Sequence, residues 1–364
     1  MRRSVRSLLR AQAHAVAVLG TTLDLPGTSV LARLSKTPRS DDRVLVGTST
    51  TLVRPTGSPP WPALVFVNGA TPDGRAHPMV LRLSLALARS GHLVFIPDLP
   101  GIAAGELSPT TLAASIEFTQ AAADRPETAN GRVALAGVSV GASLALLAAA
   151  DPGLAGRISA VAGIAPYSDL AKVMLLATTG TYRMGGRLVP YPVPEYLGVG
   201  LARSLAAILP PTPATRGLCD ELRALDPASA DPLATLRERS FHELGEDAVR
   251  LFSLLANRDP ARFDDLYAAL PGYVRATVEA LSPLHVAPLL RAPVEIATAP
   301  RDTYFPVAES RALAHASPRV RLTVTSLLAH ATPRLSPRYL AELGQLNGVF
   351  VRALAAAGAR DRSD

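Results

Sequence analysis

The sequence predicts an α/β protein, with a mostly parallel central sheet flanked by helices and interrupted by an inserted helical cap. Three observations carry that expectation. Continuous apolar runs such as Ala63–Val67 and Val133–Ala136 alternate with stretches of helical periodicity, the pattern of a parallel sheet covered on both faces. The strand rhythm stops near Leu170 and resumes only after Leu281. That interval is too long for a plain loop and needs structure of its own.

The elements follow in order. Residues 1–40 read as an N-terminal extension, helical in pattern. It has a basic start at Arg2 and Arg3, then an apolar stretch, 11–19, broken by Gln12 and His14. The stretch is too short to span a bilayer and lacks a small-residue cleavage site. As a helix it places Val5, Leu9, Val16 and Leu19 on one face. Docking on the body or its cap is expected, with weak attachment to a membrane surface as the alternative. The first part of the core is 41–169, in which 43–55 reads as a hairpin and 58–62 as a proline-rich turn. Strands are expected over 63–69, 92–101, 132–137 and 158–166. Helices are expected over 77–91, where Gly91 is the stop, over 110–124 and over 142–151. The helical cap, 170–281, offers no convincing strand and has apolar segments with proline-rich joins. The second part of the core, 282–358, returns to strands over 292–300 and 320–327 and closes with a helix over 336–358. Residues 359–364 read as a polar tail.

A chain of 364 residues with 48% hydrophobic content can bury a large core. Its net charge of +7 comes from scattered arginines, without the basic and aromatic blocks that nucleic-acid binding requires. Cys219 is the only cysteine, which excludes intramolecular disulfides, zinc fingers and a CxxC redox pair. A cytoplasmic location is expected, with secretion or peripheral membrane attachment left open. The oligomeric state is not legible.

The chemistry centres on Gly137-Val138-Ser139-Val140-Gly141. An apolar strand precedes the serine and an Ala/Leu-rich helix follows it. A sharp strand-to-helix turn projects a hydroxyl into a cleft and leaves little room two positions either side, a steric demand that Gly137 and Gly141 meet. The new helix directs its N-terminal amides at the site. A plain tight turn is the alternative reading, and the flanking strand and helix favour the nucleophile.

The elbow and the order of elements resemble the α/β-hydrolase superfamily, with a cap inserted after the sixth strand. The resemblance covers about Arg43 to Ala357. It implies the chain order nucleophile, acid, histidine. Asp302, just past the strand 292–300, matches the acid, and Asp169 is the rival position. His330 follows the last strand and matches the base. His315 lies in a helical segment and His92 opens a strand. His285, His14 and His242 fall in the approach to a strand, the extension and the cap. The backbone amides of Val140 and Ala70 are the implied oxyanion donors, although Asn68-Gly69 stands where many relatives have His-Gly. Asn68 and His77 are candidate substrate contacts, and Asp73 and Arg75 form either a substrate-facing loop or a polar turn.

The expected reaction is acyl transfer from a carboxylic ester of a small lipophilic molecule to water, with no metal or organic cofactor. Acyltransferase, thioesterase, peptidase and carbon–carbon hydrolase chemistry share the same residues. A non-catalytic binding protein is a further alternative. Within the cap, Leu175, Leu176 and Leu188 are expected to shape the pocket as part of a lid.

Overall fold

A computed structural model of the chain describes residues 2–23, 37–226, 229, 231–234, 236, 241–330, 332–333 and 340–358. In chain order the first part of the core runs α1 (Arg2–Thr22), β1 (Arg39–Leu45), β2 (Thr48–Arg54), β3 (Trp61–Val67), α2 (Pro78–Arg89), β4 (Leu93–Pro97), α3 (Pro109–Ala123), β5 (Thr128–Val138), α4 (Val140–Ala149) and β6 (Ile158–Ile164). The inserted segment holds α5 (Leu170–Thr179), β7 (Thr181–Met184), β8 (Arg187–Pro190), α6 (Glu195–Ala206), α7 (Pro213–Ala224), α8 (Glu246–Leu255), α9 (Phe263–Ala268) and α10 (Gly272–Ala280). The chain then returns through α11 (Pro283–Val286), β9 (Val294–Thr298), α12 (Val307–Ala316), β10 (Val320–Val324) and α13 (Leu340–Ala357). The tail 359–364 lies outside the described residues.

Eight strands form one sheet in the order β1-β2-β4-β3-β5-β6-β9-β10. β1–β2 and β2–β4 are antiparallel, and every other pairing is parallel. The connection out of β3 leads to β4 on one side, whereas β5 lands on the other. The connections that leave the carboxyl ends of the paired strands β3 and β5 therefore run to opposite sides and open a crevice at this switch point.

The pleat sorts side chains between two layers. Ala63, Val65 and Val67 of β3 join the core shared with α3, α4 and the inserted helices. Leu64 and Phe66 face the layer built by α1, α2 and α13. Helix α4 runs through the middle of the molecule, and Gly141 to Ala148 are all buried.

Two expectations need correction. Helix α1 does dock on the body, against α2 and α13. Its inward face is Ala11, Ala15, Val18 and Leu19, while Leu9 and Val16 are 64% and 54% exposed. The side chain of Val5 lies outside the described residues. Alanines let helix axes approach closely, so the narrow face packs inward and the bulkier residues are left outside. The inserted segment is helical but not free of strands, since β7 and β8 pair as a hairpin. Its turn, Gly185-Gly186, has φ of 56° and 79°, the pair of positive angles that a tight two-residue hairpin requires. Four-residue strands carry too little periodicity to register, but the Gly-Gly pair was a legible turn signal.

Among the described residues, no helix is long and apolar enough to cross a membrane.

Candidate active site

Ser139 joins β5 to α4 at φ 56° and ψ −129°. A non-glycine residue in such a conformation stores about 1–3 kcal/mol of strain, which the surroundings must over-determine. The Ser139 amide donates to the Ile164 carbonyl at 2.7 Å. The flanking glycines are obligatory. A Cβ on Gly141 would lie 2.2 Å from the Asn68 oxygen and 2.3 Å from that of Val67, and one on Gly137 would lie 2.4 Å from the Gly141 oxygen. The loop after β3 rests on the turn, since a Cβ on Gly69 would sit 3.4 Å from that of Ser139.

Asp302 follows β9, and its side chain is fully buried. Its Oδ1 accepts the amides of Tyr304 at 2.9 Å and Phe305 at 3.0 Å, and His330 Nδ1 lies 2.8 Å away. A carboxylate only accepts, so Nδ1 carries the proton and the lone pair is left on Nε2. His330 has φ 54° and sits in the turn of a small ribbon that pairs Leu328–Ala329 with Thr332–Pro333. The rings of Tyr304 and Phe305 flank its imidazole at centroid distances of 4.6 and 5.9 Å.

Ser139, His330, Ala70, Val140 and His77 stand on the wall of one cavity of about 280 Å³. Val140 is the first residue of α4, so its amide has no carbonyl partner within the helix. Among the described hydrogen bonds, none joins Ser139 Oγ to the imidazole, a contact that commonly tightens only around a substrate. Among the described residues, no carboxylate, ammonium or guanidinium lines the cavity, and most of its wall is apolar.

The other candidates separate from this group. Asn68 is 4% exposed and off the cavity wall, because the chain beneath Gly141 must pass there. His77 is on the wall and also caps α2, its Nδ1 accepting the Met79 amide at 3.3 Å. Asp169 caps α5 through the Ala171 amide at 3.0 Å and pairs with Lys172 at 3.3 Å. Arg75 ties Asp98 and Asp42 together at 2.7 and 2.6 Å, which makes its loop a polar turn. The hydrogen bond to Asp98 holds Arg75 above its ordinary pKa, and the hydrogen bond from Thr51, then the charge of Arg75, holds Asp42 below its own. His14, His92, His285 and His315 do not line the cavity, and the side chain of His242 lies outside the described residues. Leu175 and Leu176 are 3% and 0% exposed inside the protein core, Leu188 is 41% exposed, and none reaches the cavity.

Sequence reasoning missed the tyrosines of the inserted segment. Tyr191 donates its hydroxyl to the Asp302 carbonyl, Tyr196 to the Ala70 carbonyl at 2.8 Å, and Tyr182 to Glu309. Glu309 is itself buried and accepts from the Ser168 hydroxyl and the amides of Ser168 and Asp169. The insertion is thereby fastened to the loops that carry Ala70 and Asp302. Burial, then the charge of Asp302, pushes Tyr191 up to about 12, so its hydroxyl stays a donor. Burial also raises Tyr196 and Tyr304. The sequence marked Tyr191 and Tyr196 only by their place among prolines.

No protein-family model and no curated protein matches the chain. Solved structures do. An acylaminoacyl peptidase of Pyrococcus horikoshii superposes with a TM-score of 0.52 at 14% identity, covering 92% of this chain and 44% of that one. Dipeptidyl peptidase 4 of Porphyromonas gingivalis gives 0.50 at 13% identity, covering 90% and 37%. An esterase of Pyrococcus furiosus gives 0.46 at 13% identity, covering 88% and 91%. The chain spans less than half the length of either peptidase. Together with the strand order, the likeness to the peptidases shows that the chain has the α/β-hydrolase fold.

Proposed function

We propose, from the premise of the α/β-hydrolase fold, that the chain is a serine hydrolase cleaving carboxylic esters whose acyl group is compact and apolar. The observation that carries this reading is the pair His330–Asp302 opening onto the same apolar cavity as the strained Ser139. Ser139 Oγ attacks the ester carbonyl while His330 Nε2 takes its proton. The fully buried Asp302 carboxylate stabilises the imidazolium and holds the ring. The amides of Val140 and Ala70 bind the oxyanion. His330 then gives its proton to the leaving alkoxide, and the alcohol departs. Water attacks the acyl-enzyme with His330 again as base, releasing the carboxylic acid and restoring Ser139.

The uncharged cavity wall supports an ester over a peptide held by a charged terminus, because no carboxylate among the described lining residues can pair with an ammonium. Ser139→Ala is expected to abolish hydrolysis of p-nitrophenyl butyrate while circular dichroism and the melting temperature hold. Undiminished turnover by the purified variant would overturn the reading.

A further inference from the structure

Part of the cavity wall is built by α1 and α13. Leu19, Thr22 and Leu23 of the last turn of α1 and the residue after it line it, as do Leu346 and Phe350 of α13. The inserted segment contributes only Tyr196 and Leu197 among the described residues. Leu19 and Leu23 are 6% and 7% exposed and pack in one cluster with Leu327, Leu328 and Leu346. This turn is therefore held against the segment that leads to His330. Thr22 is half-buried, and its hydroxyl is satisfied by the Val18 carbonyl at 2.7 Å, so it offers a ligand no free donor.

Behind this wall lies a second apolar space of about 70 Å³, between the sheet and α13. Phe66, Leu83, Leu346 and Phe350 border both spaces. The sheet below the second space is paved with Ala134, Ala136, Ala160 and Gly163, which leave it unfilled.

We propose that the last turn of α1 and the Phe350 side chain of α13 form the end wall of the acyl pocket and set the longest acyl group accepted. The inference rests on the serine-hydrolase reading and adds the specificity-determining element to it. The volume bears on the size of the acyl group. A cavity of about 150 Å³ holds one benzene ring, so a pocket of about 280 Å³ suits a medium alkyl chain or a fused aromatic acyl group. Phe350 is the bulkiest α13 residue bordering both spaces, and its removal would lengthen the pocket toward the second one.

The test uses the full chain and p-nitrophenyl esters from acetate to decanoate, with Ser139 labelling by a small fluorophosphonate as the parallel readout. Thr22→Phe fills the end of the pocket. It is expected to lower kcat/KM for the longer esters at least about tenfold relative to acetate, with the labelling rate reporting any change at Ser139 itself. Phe350→Ala is expected to move the preferred acyl length upward. Thr22→Leu gives the same direction with a smaller volume change should the phenylalanine variant misfold. Variants that label normally and keep the parental length profile would overturn the inference while leaving the hydrolase reading intact. A parent protein that does not label at Ser139 would overturn both.

Discussion

At Ser139 the backbone geometry accounts for the spacing of the motif. The positive φ of the serine and the contacts of 2.2 to 2.4 Å awaiting any Cβ at positions 137 and 141 leave glycine as the only residue there. The same scale separates the two candidate acids. Asp302 is buried against His330, whereas Asp169 is occupied as a helix cap. Asp302→Asn should lower kcat by about 10⁴-fold, because the imidazole loses its orientation and its counter-charge. Asp169→Asn should leave kcat near parental, since asparagine caps a helix about as well as aspartate. Steady-state kinetics of the two purified variants checks the ranking, and the reverse order would move the acid to Asp169. Position in the chain proposed Ser139, Asp302 and His330, and the fold sets His330 Nδ1 2.8 Å from Asp302 Oδ1. The buried location of Asn68 was not legible, because the passage of its backbone beneath Gly141 depends on contacts distant in sequence.

Among the elements, the inserted segment departs most from expectation. Leu175 and Leu176 are packing residues of the core, and Leu188 is solvent-facing. Truncating Leu175 or Leu176 to alanine should cost about 2–5 kcal/mol of stability and leave the acyl-length profile unchanged. Leu188→Ser should stay within about 0.5 kcal/mol of the parent. Urea unfolding of each variant, paired with the ester series, tests both statements. The apolar composition of the segment was legible, but composition does not distinguish a residue facing a neighbouring helix from one facing a cavity. Attachment of the segment makes a pH-dependent prediction. Tyr191 rises from its ordinary value of 10.0 to about 12 in the fold, so the folded state disfavours the phenolate. That contribution is fully present below pH 10 and is lost as pH rises toward about 12. Tyr191→Phe should flatten this alkaline fall in the melting temperature, and superimposable curves for parent and variant would count against it.

For the whole molecule, the alternation of apolar runs and helices carried the layered architecture because parallel strands buried on both faces leave so plain a pattern. The return of the chain to the sheet after a long interval also survived, as β9 and β10. What the sequence withheld was the seating of α1. Its outward Leu9 and inward Ala15 invert the bulk-based reading, and the proximity of Leu19 and Leu23 to Ser139 arises only when the ends of the chain meet over the sheet. On the proposed function, this assembly makes one serine nucleophilic. The most direct measurement is reaction of the folded protein with a fluorophosphonate probe, followed by peptide mass mapping. A single stoichiometric adduct on the peptide carrying Ser139, lost on heat denaturation and strongly slowed by His330→Ala, is the result expected. No adduct on that peptide, or labelling indifferent to folding and to His330, would contradict the account.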